Sequence, residues 1–142
     1  MNTTKTIGHV EAQAAIAAIE AEMAKRGRAG VIAVADDHGE LVALLRLDGA
    51  PFQSSTIATN KAFTAARERK PSWELGKAAR DPRDGFEMYY YGDPRFVGWG
   101  GGVPVVVDGV VAGSVAVSGL TQEEDAELAA LGAAAAEASA RG

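Results

Sequence analysis

Few residues in this chain can do chemistry, and they lie far apart. There is no cysteine, and there are two histidines, three tyrosines and two tryptophans. The missing thiols remove disulfides, zinc–thiolate sites, iron–sulfur clusters, thiol catalysis and covalent c-type haem attachment together. His9 stands just before a predicted helix and His38 in a predicted turn, so the two do not form a metal-ligand pair. A single imidazole is enough for one axial bond to a haem iron, and His9 is the candidate; no other metal is expected. Asp36, Asp37 and His38 are consecutive and form a chance acid/base cluster in a turn that solvates its histidine.

Lys61 follows Asn60 within a run of serine, threonine and alanine. Such a lysine near a pocket can bind a carboxylate or a propionate, while the ordinary alternative is a solvated surface lysine. Tyr89, Tyr90 and Tyr91 read as an interface patch, as an aromatic pocket wall, or as less common axial ligands. No Ser/His/Asp arrangement follows from spacing, so the catalytic candidates are Lys61, Tyr91, Asp37 and His38. Arg46 and Asp48 read as an ion pair closing a strand.

The stretch GWGGGVPVVVDGVVAGSVAVSG, Gly98 to Gly119, carries the other candidate. Its glycines precede a strand and not a helix, so no helix N-terminus is available for phosphate and neither nucleotide-binding fingerprint applies. Two readings remain. In one, Gly100, Gly101 and Gly102 expose free amides beside Trp99 and form a pocket wall, with Tyr89–Tyr91 alongside and Lys61 facing in. In the other, the glycines only let the backbone turn.

These residues need elements to position them. Val10 to Arg26 reads as a helix, with Ile16, Ile19 and Met23 on one face and Gly27 as the stop. Two apolar runs around Asp36-Asp37-His38-Gly39 read as a hairpin. A helix over Gln53 to Arg69 is rich in small residues, which suits close packing on a sheet. A short helix follows Ser72, and DPRDGFEMYYYGDPR is a long excursion of the functional kind. Strands are expected over Arg95–Trp99, Val103–Val107 and Val110–Val117, with Asp108-Gly109 as a two-residue hairpin turn. In the last strand, Val111, Val115 and Val117 are expected on one face, and Ala112, Ser114, Ala116 and Ser118 on the other. Thr121 to Glu124 is a capping box opening the last helix, whose alanine-rich end suits a subunit contact or its own sheet. Hairpin connections dominate, which makes the class α+β with an antiparallel sheet of about five strands.

At 142 residues the chain is one ordinary domain, 1–142. Its net charge of -5 and lack of a basic stripe argue against nucleic acid as a partner. The N-terminus has no signal-peptide pattern and no segment could span a bilayer, so a soluble cytoplasmic protein without a membrane partner is expected.

Three segments together resemble a known family: VIAVADDHGELVALLRLDGAP, TNKAFTAA and GGGVPVVVDGVVAGSVAVSGLTQEED. They look like the GlcG/HbpS-like family, also called the haem-degrading or DUF336 family, and are similar to the C-terminal domain of PduO-type proteins. The match covers Asp48-Gly49-Ala50, Lys61-Ala62 with Thr64-Ala65, and Gly101-Gly102-Val103-Pro104. The resemblance implies a profilin-like fold flanked by N-terminal, middle and C-terminal helices, and homo-oligomers from dimer to octamer. It also implies non-covalent b-type haem as cofactor in some members, bound or degraded, with His9 in the position of an axial ligand. The stretch from Asp81 to Trp99 departs from the family pattern and is more aromatic. The expected function is that of a homo-oligomeric small-ligand-binding protein with haem as the leading ligand. The alternative is a cofactor-free enzyme acting on a small organic acid or ring compound.

Overall fold

A computed structural model describes residues Met1–Gly142. Helix α1 spans His9–Arg26, and its buried face is Ala12, Ala15, Ile19 and Met23, with Ile16 at the margin. Glu11 accepts a hydrogen bond from the Gly8 amide and closes the first turn, while Gly27 ends the helix in a left-handed conformation. Strands β1 (Val31–Asp36) and β2 (Leu41–Arg46) form the expected hairpin. Helix α2 covers Ser54–Glu68 and α3 covers Ser72–Ala79. A short 3₁₀ turn occupies Met88–Tyr91, followed by β3 (Gly102–Val107), β4 (Val110–Ser118) and α4 (Gln122–Arg141). Thr121 caps α4 by accepting from the Glu124 amide.

The sheet is fully antiparallel in the order β2-β1-β4-β3, so it has four strands and not five. The stretch Arg95–Trp99 is loop. The Arg95 carbonyl accepts from the Thr64 hydroxyl, which in turn accepts from the Val97 amide. A helix side chain has taken the bonds that a neighbouring strand would have supplied. Pro104 is harmless because β3 is an edge strand.

Helices α1 and α4 cover one face of the sheet, where Ile32, Val34, Val115 and Val117 meet Ile19, Met23 and Leu128. The other face is shallow. There Ala33, Ala35 and Ala116 receive Ala58 and Ala62 of α2 at close range, as the small-residue pattern requires. The alternation expected for β4 holds only in part. A bulge opposite Val105/Val106 shifts the register, and Ala112 joins the valine core instead of facing with Ser114, Ala116 and Ser118.

One crossing anchors the excursion after α3. A Cβ on Gly98 would lie 2.5 Å from the Gly76 Cα, so these two backbones touch only because neither residue has a side chain.

Candidate functional site

Lys61 is buried, not solvated, and its ammonium joins the two helical layers. From α2 it donates to the Val117 carbonyl of β4 at 3.1 Å and to Asp125 Oδ2 of α4 at 3.0 Å. Asp125 is equally enclosed, and its other oxygen accepts from the Leu120 amide at 3.1 Å. Burial pushes the lysine below its ordinary range, and the adjacent carboxylate offsets only part of that. Burial likewise raises the Asp125 carboxyl above its ordinary range against the pull of Lys61. Both shifts run toward the neutral forms, which is what desolvation does to an ion pair whose members each have only a few partners.

The glycine loop is what lets this bridge form. At Gly101, with φ +130°, an added Cβ would sit 2.6 Å from the Val117 carbonyl oxygen and 2.7 Å from Lys61 Nζ. At Gly102 an added Cβ would collide with the Lys61 carbonyl. Two of the three loop amides expected to be free are already used. Gly100 N–H donates to Gln122 Oε1 at 2.8 Å and Gly102 N–H to Ser72 Oγ at 3.0 Å, while the Gly101 carbonyl accepts from Val117 at 2.9 Å. The glycines thus make room for a lysine and a strand, and the loop is held by side chains from α3 and α4.

A solvent-open cavity of about 350 Å³ lies at this junction. Lys61 and Asp125 form its charged wall, Ser54 and Ser118 contribute hydroxyls, and Ile57 with Trp99 contribute apolar surface. Trp99 remains half exposed at the rim. Lys61 and Trp99 therefore meet as expected, but Gly101 and Gly102 do not line the cavity. Gly100 lines a neighbouring hollow with Trp73, Arg80 and Gln122.

The remaining candidates are elsewhere. Tyr89 and Tyr90 are exposed, and Tyr91 reaches Glu68 while packing on Phe96 and Phe86. None of the three lines the Lys61 cavity. Burial, followed by the Glu68 carboxylate, raises the Tyr91 hydroxyl above its ordinary range, which does not favour proton release at neutral pH. Asp37 and His38 are adjacent, with Oδ1 to Nδ1 at 3.1 Å, in the β1–β2 turn. Asp37 is buried and its Oδ2 has no hydrogen-bond partner, whereas His38 is exposed. Burial would raise the Asp37 carboxyl, but hydrogen bonds from Thr6 and His38 outweigh it and hold it below its ordinary range. The expected Arg46–Asp48 ion pair is absent, and both residues are exposed at the end of β2.

His9 is exposed on the first turn of α1. A hollow of about 280 Å³ beside it is lined by Lys5, Ile7, Glu11 and Val107 but not by His9 itself. Sequence reasoning missed Asp125 as the partner of Lys61. The signal was present: an aspartate on the inward side of the capping turn of a helix otherwise apolar on that face.

The family of the chain follows from comparison with known proteins. Residues 7–134 match the model of the family described as haem degrading protein HbpS-like, and the chain belongs to that family. It is 39% identical over 118 residues to Protein GlcG of Escherichia coli, covering 83% of this chain and 85% of that protein. The crystal structure of Klebsiella pneumoniae protein ORFY superposes with a TM-score of 0.91 at 30% identity, over 97% of this chain and 95% of that one. A PduOC:heme complex shares the fold, with a TM-score of 0.84 at 23% identity over 92% and 94% of the two chains. No helix is long and apolar enough to cross a membrane.

Proposed function

We propose that this protein is a homo-oligomeric small-ligand-binding member of the HbpS-like family and that b-type haem is its leading ligand, with His9 as axial ligand. Family membership supports the haem reading, and the solved PduOC:heme complex is a protein of the same fold. The observation that carries the assignment of the residue is the exposed His9 imidazole, which no side-chain hydrogen bond ties to the rest of the chain. An imidazole held by no other side chain fits the donor chemistry of an axial ligand. The Lys61 cavity does not fit the macrocycle: no histidine lines it, and the Lys61–Asp125 pair forms one of its walls. Nor do the four principal hollows of a single chain have His9 in their walls. A haem at His9 would therefore lie on the outer surface and be covered by a second copy, which is why the oligomer belongs to the same reading.

Hemin titration tests it. The wild-type protein should develop a Soret band that His9→Ala abolishes or shifts, while His38→Ala leaves it in place. Light scattering should return a mass several times 14.6 kDa. A spectrum unchanged from free hemin, or a monomer that binds hemin with His9 replaced, defeats the assignment.

The second reading, a cofactor-free enzyme on a small organic acid, is favoured by the buried Lys61 beside a cavity. It has less support, because Tyr91 and the Asp37–His38 turn are not assembled around Lys61.

A further inference from the structure

We propose that the cavity between α2, the end of β4 and the first turn of α4 is a binding site for a small carboxylate, separate from any haem at His9. Its free hydrogen-bonding capacity includes one charged donor and two hydroxyls. An ammonium has three N–H bonds, and Lys61 spends two on Val117 and Asp125. Both oxygens of Asp125 are occupied, by Lys61 and by the Leu120 amide, so the one acid in the wall is not a vacant acceptor.

Ser54 and Ser118 are the telling residues. They are 2% and 4% exposed, both line the cavity, and neither hydroxyl bonds to any protein group. Their oxygens are not sealed off: both open onto the cavity, where an acceptor can take the two O–H bonds. Ile57, Leu120 and Trp99 add apolar surface to the same cavity, which takes a short apolar body. A carboxylate head on Lys61, Ser54 and Ser118 with a small aliphatic or ring substituent toward Trp99 satisfies both kinds of surface. The volume of about 350 Å³ is at the small end of ligand pockets and sets the size class.

An anion beside a neutral ion pair needs its charge balanced. The charged groups facing Asp125 are Lys61 from α2 and Glu124 on its own helix, the latter paired with Arg28. Asp125 can answer by taking up a proton, since burial already raises its carboxyl. The bound carboxylate then holds the ammonium, and the pocket keeps its net charge.

The test uses butyrate as probe and butyramide as its neutral counterpart, without hemin, read by Trp99 fluorescence and by amide shifts of Ser54, Ser118 and Gly119. Butyrate should bind about tenfold more tightly than butyramide, since the charged acceptor strengthens each bond from the wall. The double variant Ser54→Ala, Ser118→Ala should keep the wild-type Tm and lose about tenfold in butyrate affinity. Binding should be accompanied by proton uptake, seen as a buffer-dependent heat in calorimetry. Equal affinity for butyrate and butyramide overturns the proposal, as does unchanged affinity in the serine variant or an absence of shifts at those amides. None of these results depends on whether His9 binds haem.

Discussion

Asp125 and Asp37 are buried to nearly the same degree, 2% and 5% exposed, and each has a basic side chain within hydrogen-bond distance. Their carboxyls nevertheless move in opposite directions, Asp125 upward and Asp37 downward. Asp125 lies between two packed layers, where its lysine is as desolvated as it is. Asp37 lies at the edge of a turn, where its histidine partner is open to water and the hydroxyl-bearing N-terminal segment is close. Burial pushes both carboxyls up; at Asp37 the hydrogen bonds from Thr6, His38 and Thr4 outweigh it, while at Asp125 Lys61 and the Leu120 amide do not.

The largest effect should come from breaking the bridge on one side. Lys61→Met leaves Asp125 without its cation and should cost about 3–5 kcal/mol in urea unfolding. Replacing both partners, Lys61→Met with Asp125→Leu, should recover most of that loss, because an apolar pair of similar volume removes the desolvation cost as well. If the double variant is as unstable as the single one, the bridge is a net stabiliser and the contrast with Asp37 is drawn wrongly.

Gly101→Ala should cost about 1–3 kcal/mol, combining an unfavourable positive φ with crowding of the lysine head. Chemical denaturation measures it, and a loss of only a few tenths would mean that the bridge tolerates displacement.

Asp37→Asn should have the smallest effect, a loss of about 0.5–1.5 kcal/mol at neutral pH. Its pH dependence sharpens the comparison. Because the folded carboxyl lies below its ordinary value of 3.8, its contribution is full above that value and is lost as pH falls through the folded pKa. Asp125 has the opposite sign: its folded carboxyl holds a proton above 3.8, so stability declines as pH rises through that interval. Acid unfolding of Asp37→Asn against the wild type should therefore show a flatter decline below pH 3.8. A variant with the same acid limb as the wild type would remove Asp37 from the account.

Periodicity and turn chemistry made the helices, both hairpins and the close α2–sheet packing legible. Thr121, Gly27 and Asp108-Gly109 each mark an element end by a local mechanism that tertiary context does not override. The fifth strand was misread because Arg95–Trp99 has strand-like residues but Thr64 of α2 claims its backbone. The site was legible in its parts and not in its assembly. Lys61, Trp99 and the glycines could be named, but which residues meet depends on a contact between positions 61 and 125 that no local pattern encodes. The bulge at Ala112 escaped for a similar reason, since alternation alone gives no sign of an inserted residue.

The Gly76–Gly98 crossing makes chain length between those points a nearly independent variable. Its two ends already touch, so the segment carrying the three tyrosines begins and finishes at one place on the domain. Lengthening such a segment changes only its closure entropy, about 0.6 kcal/mol for each doubling, and disturbs neither sheet nor bridge. A region anchored this way can change size and composition between relatives while the rest of the domain stays as it is. The aromatic stretch Tyr89–Tyr91 occupies this segment.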